Sequence, residues 1–422
     1  MNEKNTIGRR NLLKTVGAAT LESMLIYERA VADTTQSNAE KKTQKPEHPQ
    51  VPRRKLGKTD VEVPCLGLGA LFNLVEKQII LEKCFQLGVT FWDTAPDYAG
   101  QNSERGIGKF ISRHPQARKK LFLVTKASDA VTVSDVERAL QASLKRMNAK
   151  YVDLYYIMDR ASGPGFVGHG LSDPAKLTDD LRNWCKSAKK RKLIRYFGFS
   201  THKNMAKCLA AAANLDWIDA VMTTYSFRIM QDPKLQASIE ACYKAGIGLI
   251  AMKTQGRPSE RIETEEDIKL AGHFLQRGFT DGQAKIKAVL QDKRFSSACV
   301  GMENVSTLTE NVAAALDKTK LTSLDMAVFK EYAEATRSSY CAGCSYICDS
   351  ALNDVYCISD IMRCLMYYNS YCDCARAREL FAQIPNNIRS KLLSTDYKAA
   401  EARCPQNMPI GKLIAKAVSL LA

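Results

Sequence analysis

The stretch FWDTAPDYAGQNSERGIGKF, Phe91 to Phe110, sets a carboxylate and a phenol five residues apart. Asp93 ends an apolar run, Tyr98 stands in a loop, and a helical pattern opens near Ser103. The next apolar run, LFLVTKA from Leu121, ends on Lys126. A phenol, with a pKa of about 10, is a poor acid at neutral pH. An adjacent ammonium favours the phenolate and lowers that pKa, and a carboxylate paired with the ammonium holds it in place. A phenol so placed can protonate a carbonyl oxygen while hydride reaches the carbon. The competing reading is a structural Asp–Lys pair beside a capped turn and a stacked ring.

These groups need neighbouring strand ends, and the sequence pattern supplies them. Short apolar runs alternate with amphipathic segments from residue 63 onward. Strands are predicted at VPCLGLGAL (from Val63), TFWDTAP (Thr90), LFLVTKA (Leu121), VDLYYIMD (Val152), RYFGFST (Arg195), IDAVMTTYS (Ile218), IGLIAMKT (Ile247) and FSSACVGM (Phe295). Between them lie helical segments, among them KQIILEKCFQLG, SDVERALQASLKRMN with Ser134 as N-cap and Glu137 completing a capping box, and VSTLTENVAAAL. Eight strand–helix repeats in about 250 residues predict a closed (β/α)8 TIM barrel, an α/β fold whose active groups sit at the C-terminal strand ends. Asp93, Lys126, Ser200, Tyr225 and Lys253 fall there, as does Met158. A doubly wound sheet is the alternative, against which stands the lack of a G-x-G-x-x-G at the first helix.

With LGKTDVEVPCLGLGAL, LFLVTKAS, VDLYYIM, RYFGFST and TENVAAAL in the same order, FWDTAPDYAGQNSERGIGKF resembles the aldo/keto reductase family, whose motif D-T-A-x-x-Y-G-x-S-E follows the second barrel strand. The resemblance spans roughly residues 53 to 316. It implies NADP or NAD as cofactor and a carbonyl or alcohol substrate. It implies catalytic roles for Asp93, Tyr98 and Lys126, with Tyr98 as general acid, and Met158 in place of the family's fourth catalytic residue, a His. It implies nucleotide contacts at Ser200 and Thr201 (carboxamide), at Gly301, Glu310 and Asn311 (phosphate and adenine), and at Tyr225 and Met252 beside the nicotinamide, Met252 standing where relatives place a stacking Tyr. Met222 replaces an expected Gln, and Glu303 places a carboxylate near a 2′-phosphate. His169, in the Gly-rich loop ASGPGFVGHGLSD, is read as a surface-loop His, with swinging in to stand for the missing His as the alternative.

Fourteen cysteines are spread unevenly: six are scattered through the barrel, and seven crowd between Cys341 and Cys374, with Cys404 beyond. YCAGCSYIC has C-x2-C-x3-C spacing, which suits a shared metal or cluster. The tail is similar to the ferredoxin-like 4Fe-4S extensions of some aldo/keto reductases, whose run C-x2-C-x2-C-x3-C-P it shortens. The expected metal ligands are Cys341, Cys344 and Cys348, with Cys357 (or Cys364) as fourth; zinc and disulfides are the alternatives.

Arg9-Arg10 before a moderately apolar stretch, and Ala30-Val31-Ala32 after it, resemble a twin-arginine export signal. The expected organisation is a signal at 1–32, a linker at 33–50, the barrel at 51–320 and a Cys-rich helical tail at 321–422. The export machinery is then a partner and the destination is periplasmic or extracytoplasmic; a cytosolic amphipathic helix is the alternative. The net charge of +16 is scattered, without a nucleic-acid motif, and no run of about 18 apolar residues predicts a membrane span.

Overall fold

The computed structural model describes residues 48–128, 130, 132–158, 170–261, 263–352, 355 and 357–422. The export-signal and linker readings, apart from residues 48–50, and His169 lie outside the described residues.

A hairpin of β1 (Arg53–Lys55) and β2 (Glu62–Pro64) precedes the barrel, pairing Arg53 with Pro64 and Lys55 with Glu62. The first predicted strand is therefore two: Val63 belongs to the hairpin, and the barrel begins at β3 (Leu66–Gly69). The following strands are β4 (Phe91–Asp93), β5 (Phe122–Ala127), β6 (Val152–Ile157), β7 (Ile194–Thr201), β8 (Ala220–Thr224), β9 (Gly248–Met252) and β10 (Phe295–Gly301). They close a parallel barrel in the order β10-β3-β4-β5-β6-β7-β8-β9.

Alternation along each strand sends one set of side chains inward and the other toward the helices. Leu56, Val63, Phe91, Phe122, Leu154, Tyr156, Met222 and Ile250 fill the barrel interior. Trp92, Leu123, Tyr155, Phe197, Phe199 and Val221 pack under the helices. Gly198 permits the contact of β7 with β8, because a Cβ there would lie 1.7 Å from the Ala220 carbonyl oxygen.

The helices follow apolar periodicity, with ends set by local hydrogen bonds. The helix Val133–Arg146 starts on Thr132, not Ser134: the Thr132 hydroxyl accepts from the Asp135 amide at 3.2 Å in a capping box. Glu137 instead accepts from Arg191 at 2.7 Å and from the Trp184 indole at 2.8 Å. Two helices, Glu265–Gln276 and Asp281–Gln291, lie between β9 and β10.

Beyond the barrel, the tail helices Ile358–Ser370, Cys374–Ala382, Lys398–Arg403 and Ile410–Leu421 build a second apolar core around Met362, Leu365, Phe381 and Ile414. This core docks on the C-terminal ends of the barrel strands. Lys203, just after β7, donates to both oxygens of Asp360 at 3.1 and 2.9 Å, and Arg363 joins the same carboxylate at 3.0 Å. Asn369 donates to the Ser259 carbonyl at 2.8 Å, and Lys416 pairs with Glu260 at 2.7 Å. Gly343 (φ +78°) lets the tail approach β7, since a Cβ there would lie 2.2 Å from the His202 carbonyl oxygen.

Candidate active site

Asp93 and Lys126 are inward-facing residues at the ends of adjacent strands, 3% and 2% exposed. The Lys126 ammonium lies 2.7 Å from both Asp93 oxygens and 2.8 Å from the Thr94 carbonyl oxygen. It also sits 4.7 Å from the Tyr98 ring centroid, over the ring. Carboxylate, ammonium and phenol thus meet at the barrel mouth.

The electrostatics differ from the expectation in one respect. Burial pushes the Tyr98 phenol well above its usual pKa, and the carboxylates of Asp93 and Asp97 push it further. The ammonium meets the ring face while Asp93 balances its charge, and its pull on the phenolate is outweighed by burial and the two carboxylates. Tyr98 rests protonated, as a proton donor must.

Met158 lies buried beside this trio, its sulfur 3.9 Å from the Ser128 hydroxyl oxygen. A thioether donates no hydrogen bond. The Ser128 proton goes to Asp97 at 2.6 Å.

The expected nucleotide contacts divide by strand parity. Ser200 faces the mouth, and its buried hydroxyl has no hydrogen-bond partner. Asn311, on the helix Val305–Leu316, likewise keeps a buried side-chain NH2 without a partner. Gly301 is exposed at the end of β10, and Glu310 is exposed on the next helix. Met252 is half-buried at the end of β9, against the interior core. Two expectations fail. Thr201 points away from the mouth and donates to the Leu171 carbonyl at 2.6 Å. Tyr225 also faces the helices: its hydroxyl donates to Asp292 at 2.8 Å, and its ring stacks on Phe295 at 4.3 Å. Glu303 is exposed and pairs with Lys77 at 3.3 Å. Ser200 and Asn311 are thus two of the buried polar groups left without a partner among the described residues.

The tail contributes residues that sequence reasoning missed. Tyr367 comes close enough to Tyr98 to raise its pKa, and Lys253 lies 4.9 Å from the Tyr367 ring centroid. Arg376 binds the Asp97 carboxylate and donates to its carbonyl oxygen at 3.2 Å. Between tail and strand ends remains a cavity of about 50 Å³, lined by Lys203, Thr224, Lys253, Arg257, Arg363 and Met366 among others. Small-molecule sites commonly span about 300–1,000 Å³.

The cysteine expectation is also corrected. Among the described residues, no group of three or more His, Cys, Asp or Glu side chains could hold a metal ion, and the fourteen cysteines are unbridged. Cys341, Cys344 and Cys348 line one small cavity with Cys404, not with Cys357. Cys357 is fully buried in the tail core near Cys364. Burial pushes the thiols of Cys341 and Cys344 up to about 12 and about 11. The signal for Cys404 was in the sequence: it is followed by Pro405, the C-P ending absent from the first run.

A closed eight-stranded parallel barrel with a strand-end Asp–Lys–Tyr trio defines the class. The aldo/keto reductase family model matches residues 65–334, and the chain belongs to that family. L-galactose dehydrogenase of Arabidopsis thaliana is 25% identical over 298 residues, 65% of this chain and 90% of the relative. The aldo-keto reductase yakc [NADP(+)] of Schizosaccharomyces pombe is 27% identical over 225 residues, 49% of this chain and 62% of the relative. Among solved structures, the thermostable aldo-keto reductase Tm1743 in complex with the inhibitor epalrestat has a TM-score of 0.54 at 23% identity, covering 67% of this chain and 100% of the other. The holo form of AKR11C1 from Bacillus halodurans has a TM-score of 0.53 at 18% identity, covering 67% and 96%. These structures share the fold.

Proposed function

We propose that the chain is a nicotinamide-dependent carbonyl reductase with Tyr98 as proton donor, the barrel (51–320) carrying the reaction and the tail (321–422) covering it. The observation that carries this reading is the buried Lys126 ammonium, paired with Asp93, over the Tyr98 ring. A bound reduced nicotinamide supplies hydride to the carbonyl carbon. Tyr98 gives its hydroxyl proton to the carbonyl oxygen. The Lys126 ammonium then faces a phenolate and stabilises it, while Asp93 keeps the ammonium in place. Ser200 is available to the carboxamide and Asn311 to the adenine side. Met158 leaves the carbonyl without the family's imidazole, so Tyr98 carries the polarisation as well as the proton. The exposed carboxylate of Glu303 disfavours a 2′-phosphate, so NADH is the expected partner.

Titration with NADH and NADPH, followed by nicotinamide and Trp fluorescence, tests binding. Turnover with a panel of aldehydes and ketones tests chemistry. Tyr98→Phe is expected to lower kcat by at least a hundredfold without changing nucleotide affinity. Full activity in that variant sinks the assignment. A second reading, a non-catalytic binding or structural barrel that has lost its reductase chemistry, is favoured by the tail over the mouth and by Met158. Well-folded protein that binds neither nucleotide would select it.

The tail belongs to the same proposal. Four thiols line one cavity, and the group proposed to occupy it is a 4Fe-4S cluster held by Cys341, Cys344, Cys348 and Cys404. Such a cluster exchanges single electrons. Iron and acid-labile sulfide in anaerobically prepared protein are expected to persist in Cys357→Ser and to be lost in Cys404→Ser. Export through Arg9-Arg10 is tested by fractionation of a variant with both arginines changed to lysine.

A further inference from the structure

The loop that carries Tyr98 is held in a costly conformation. Ala99, Gly100 and Gln101 all lie in the left-handed region, at φ of 49°, 58° and 73°. Only one of the three is glycine, and such strain persists where surrounding structure imposes it. Asp97, the residue before Tyr98, is where the surroundings take hold. Its Oδ1 accepts the Ser128 hydroxyl at 2.6 Å from the barrel side. Its Oδ2 and its backbone carbonyl oxygen are both taken by Arg376, from the tail helix Cys374–Ala382. Arg376 is buried, and its backbone amide donates to Asp373 at 3.0 Å, which ties it to the start of its helix. Glu379 accepts at 3.2 Å from the same terminal nitrogen that donates to the Asp97 carbonyl oxygen.

We infer that Arg376 is a positioning residue for the catalytic loop: its planar fork grips side chain and backbone of Asp97 together and so fixes where Tyr98 presents its hydroxyl. The tail is therefore a working part of the barrel mouth as well as its cover. A lysine keeps the charge but not the fork, so it cannot make both contacts in the same geometry. The inference rests on Tyr98 being the proton donor, and Arg376 acts only through Asp97.

Hydrogen exchange read by mass spectrometry over residues 95–101 tests it without requiring turnover. Arg376→Gln and Arg376→Lys are expected to speed exchange of that segment about tenfold or more, while the tail helix Ile358–Ser370 keeps its protection. Asp97→Asn, which weakens the same grip without touching the tail, is expected to act in the same direction. Arg378→Gln, on the exposed face of the same helix, is the control and is expected to leave the segment as in the parent. In turnover, Arg376→Lys is expected to lower kcat with little change in nucleotide affinity. Unchanged exchange at 95–101 in both Arg376→Gln and Asp97→Asn overturns the inference. So does faster exchange there only when the whole tail loosens, because Arg376 would then be a docking contact alone. The proton-donor reading fails separately, through an active Tyr98→Phe.

Discussion

At the scale of single residues, the ion pair of Asp93 and Lys126 places two charges where almost no water reaches. Removing one partner leaves the other buried and uncompensated, at a cost of about 3–5 kcal/mol. Lys126→Met is therefore expected to lower the urea midpoint strongly. The double variant Asp93→Leu with Lys126→Met is expected to recover much of that loss while remaining inactive. If the single and double variants were equally unstable, the pair would be acting through packing and not through charge. The trio itself was legible because it lies within two consecutive strand ends and one local motif. Thr201 and Tyr225 were not, since one step along a strand moves a side chain from the mouth to the helix layer. Cys404 needed the three-dimensional path of the tail to bring it beside Cys341, Cys344 and Cys348.

At the scale of elements, Glu137 ties the helix Val133–Arg146 to the helix Asp179–Lys190 and the Arg191 that follows it. Hydrogen bonding from Arg191 is the largest influence on its carboxyl and holds it at about 2, with Gln141 and Trp184 assisting and burial opposing. A folded pKa below the unfolded one gives stability that is present above the unfolded value of about 4.3 and is lost as pH falls through the folded value. The parent is thus expected to lose thermal stability between about pH 4 and pH 2 more steeply than Glu137→Gln. The two curves should converge near the acid end, and parallel curves would deny the linkage. The carboxyl is half-buried and still meets solvent, so screening keeps the effect small. The helices themselves were readable from periodicity. The cap at Thr132 was missed because Ser134 with Glu137 offers an equally good local pattern, and only the packed partner of Glu137 decides between them.

At the scale of the whole molecule, the barrel and the tail core meet through the buried carboxylate of Asp360, shared by Lys203 and Arg363. Asp360→Ala leaves two buried cations facing each other, and the tail is expected to undock. Limited proteolysis should then cleave the tail at a concentration of protease that spares the parent, and nucleotide should bind faster. Unaltered cleavage would place the docking energy in the apolar contacts instead. The eight-strand repeat made the barrel legible, because strand and helix periods alternate along the chain. The docking of the tail was not legible, because it depends on pairs such as Lys203 with Asp360 that no local spacing reveals.

The clamp on Asp97 also has a consequence in time. Arg376 stands 279 positions after its partner. At a synthesis rate of roughly 5–20 residues per second, it leaves the ribosome about 15–55 seconds later. The barrel closes only once β10 ends at Gly301, 75 positions before Arg376, so a closed barrel has its catalytic loop without its clamp and its mouth without its cover for about 4–15 seconds. On the proposed function, a nicotinamide dinucleotide present during translation meets an open mouth before the tail arrives.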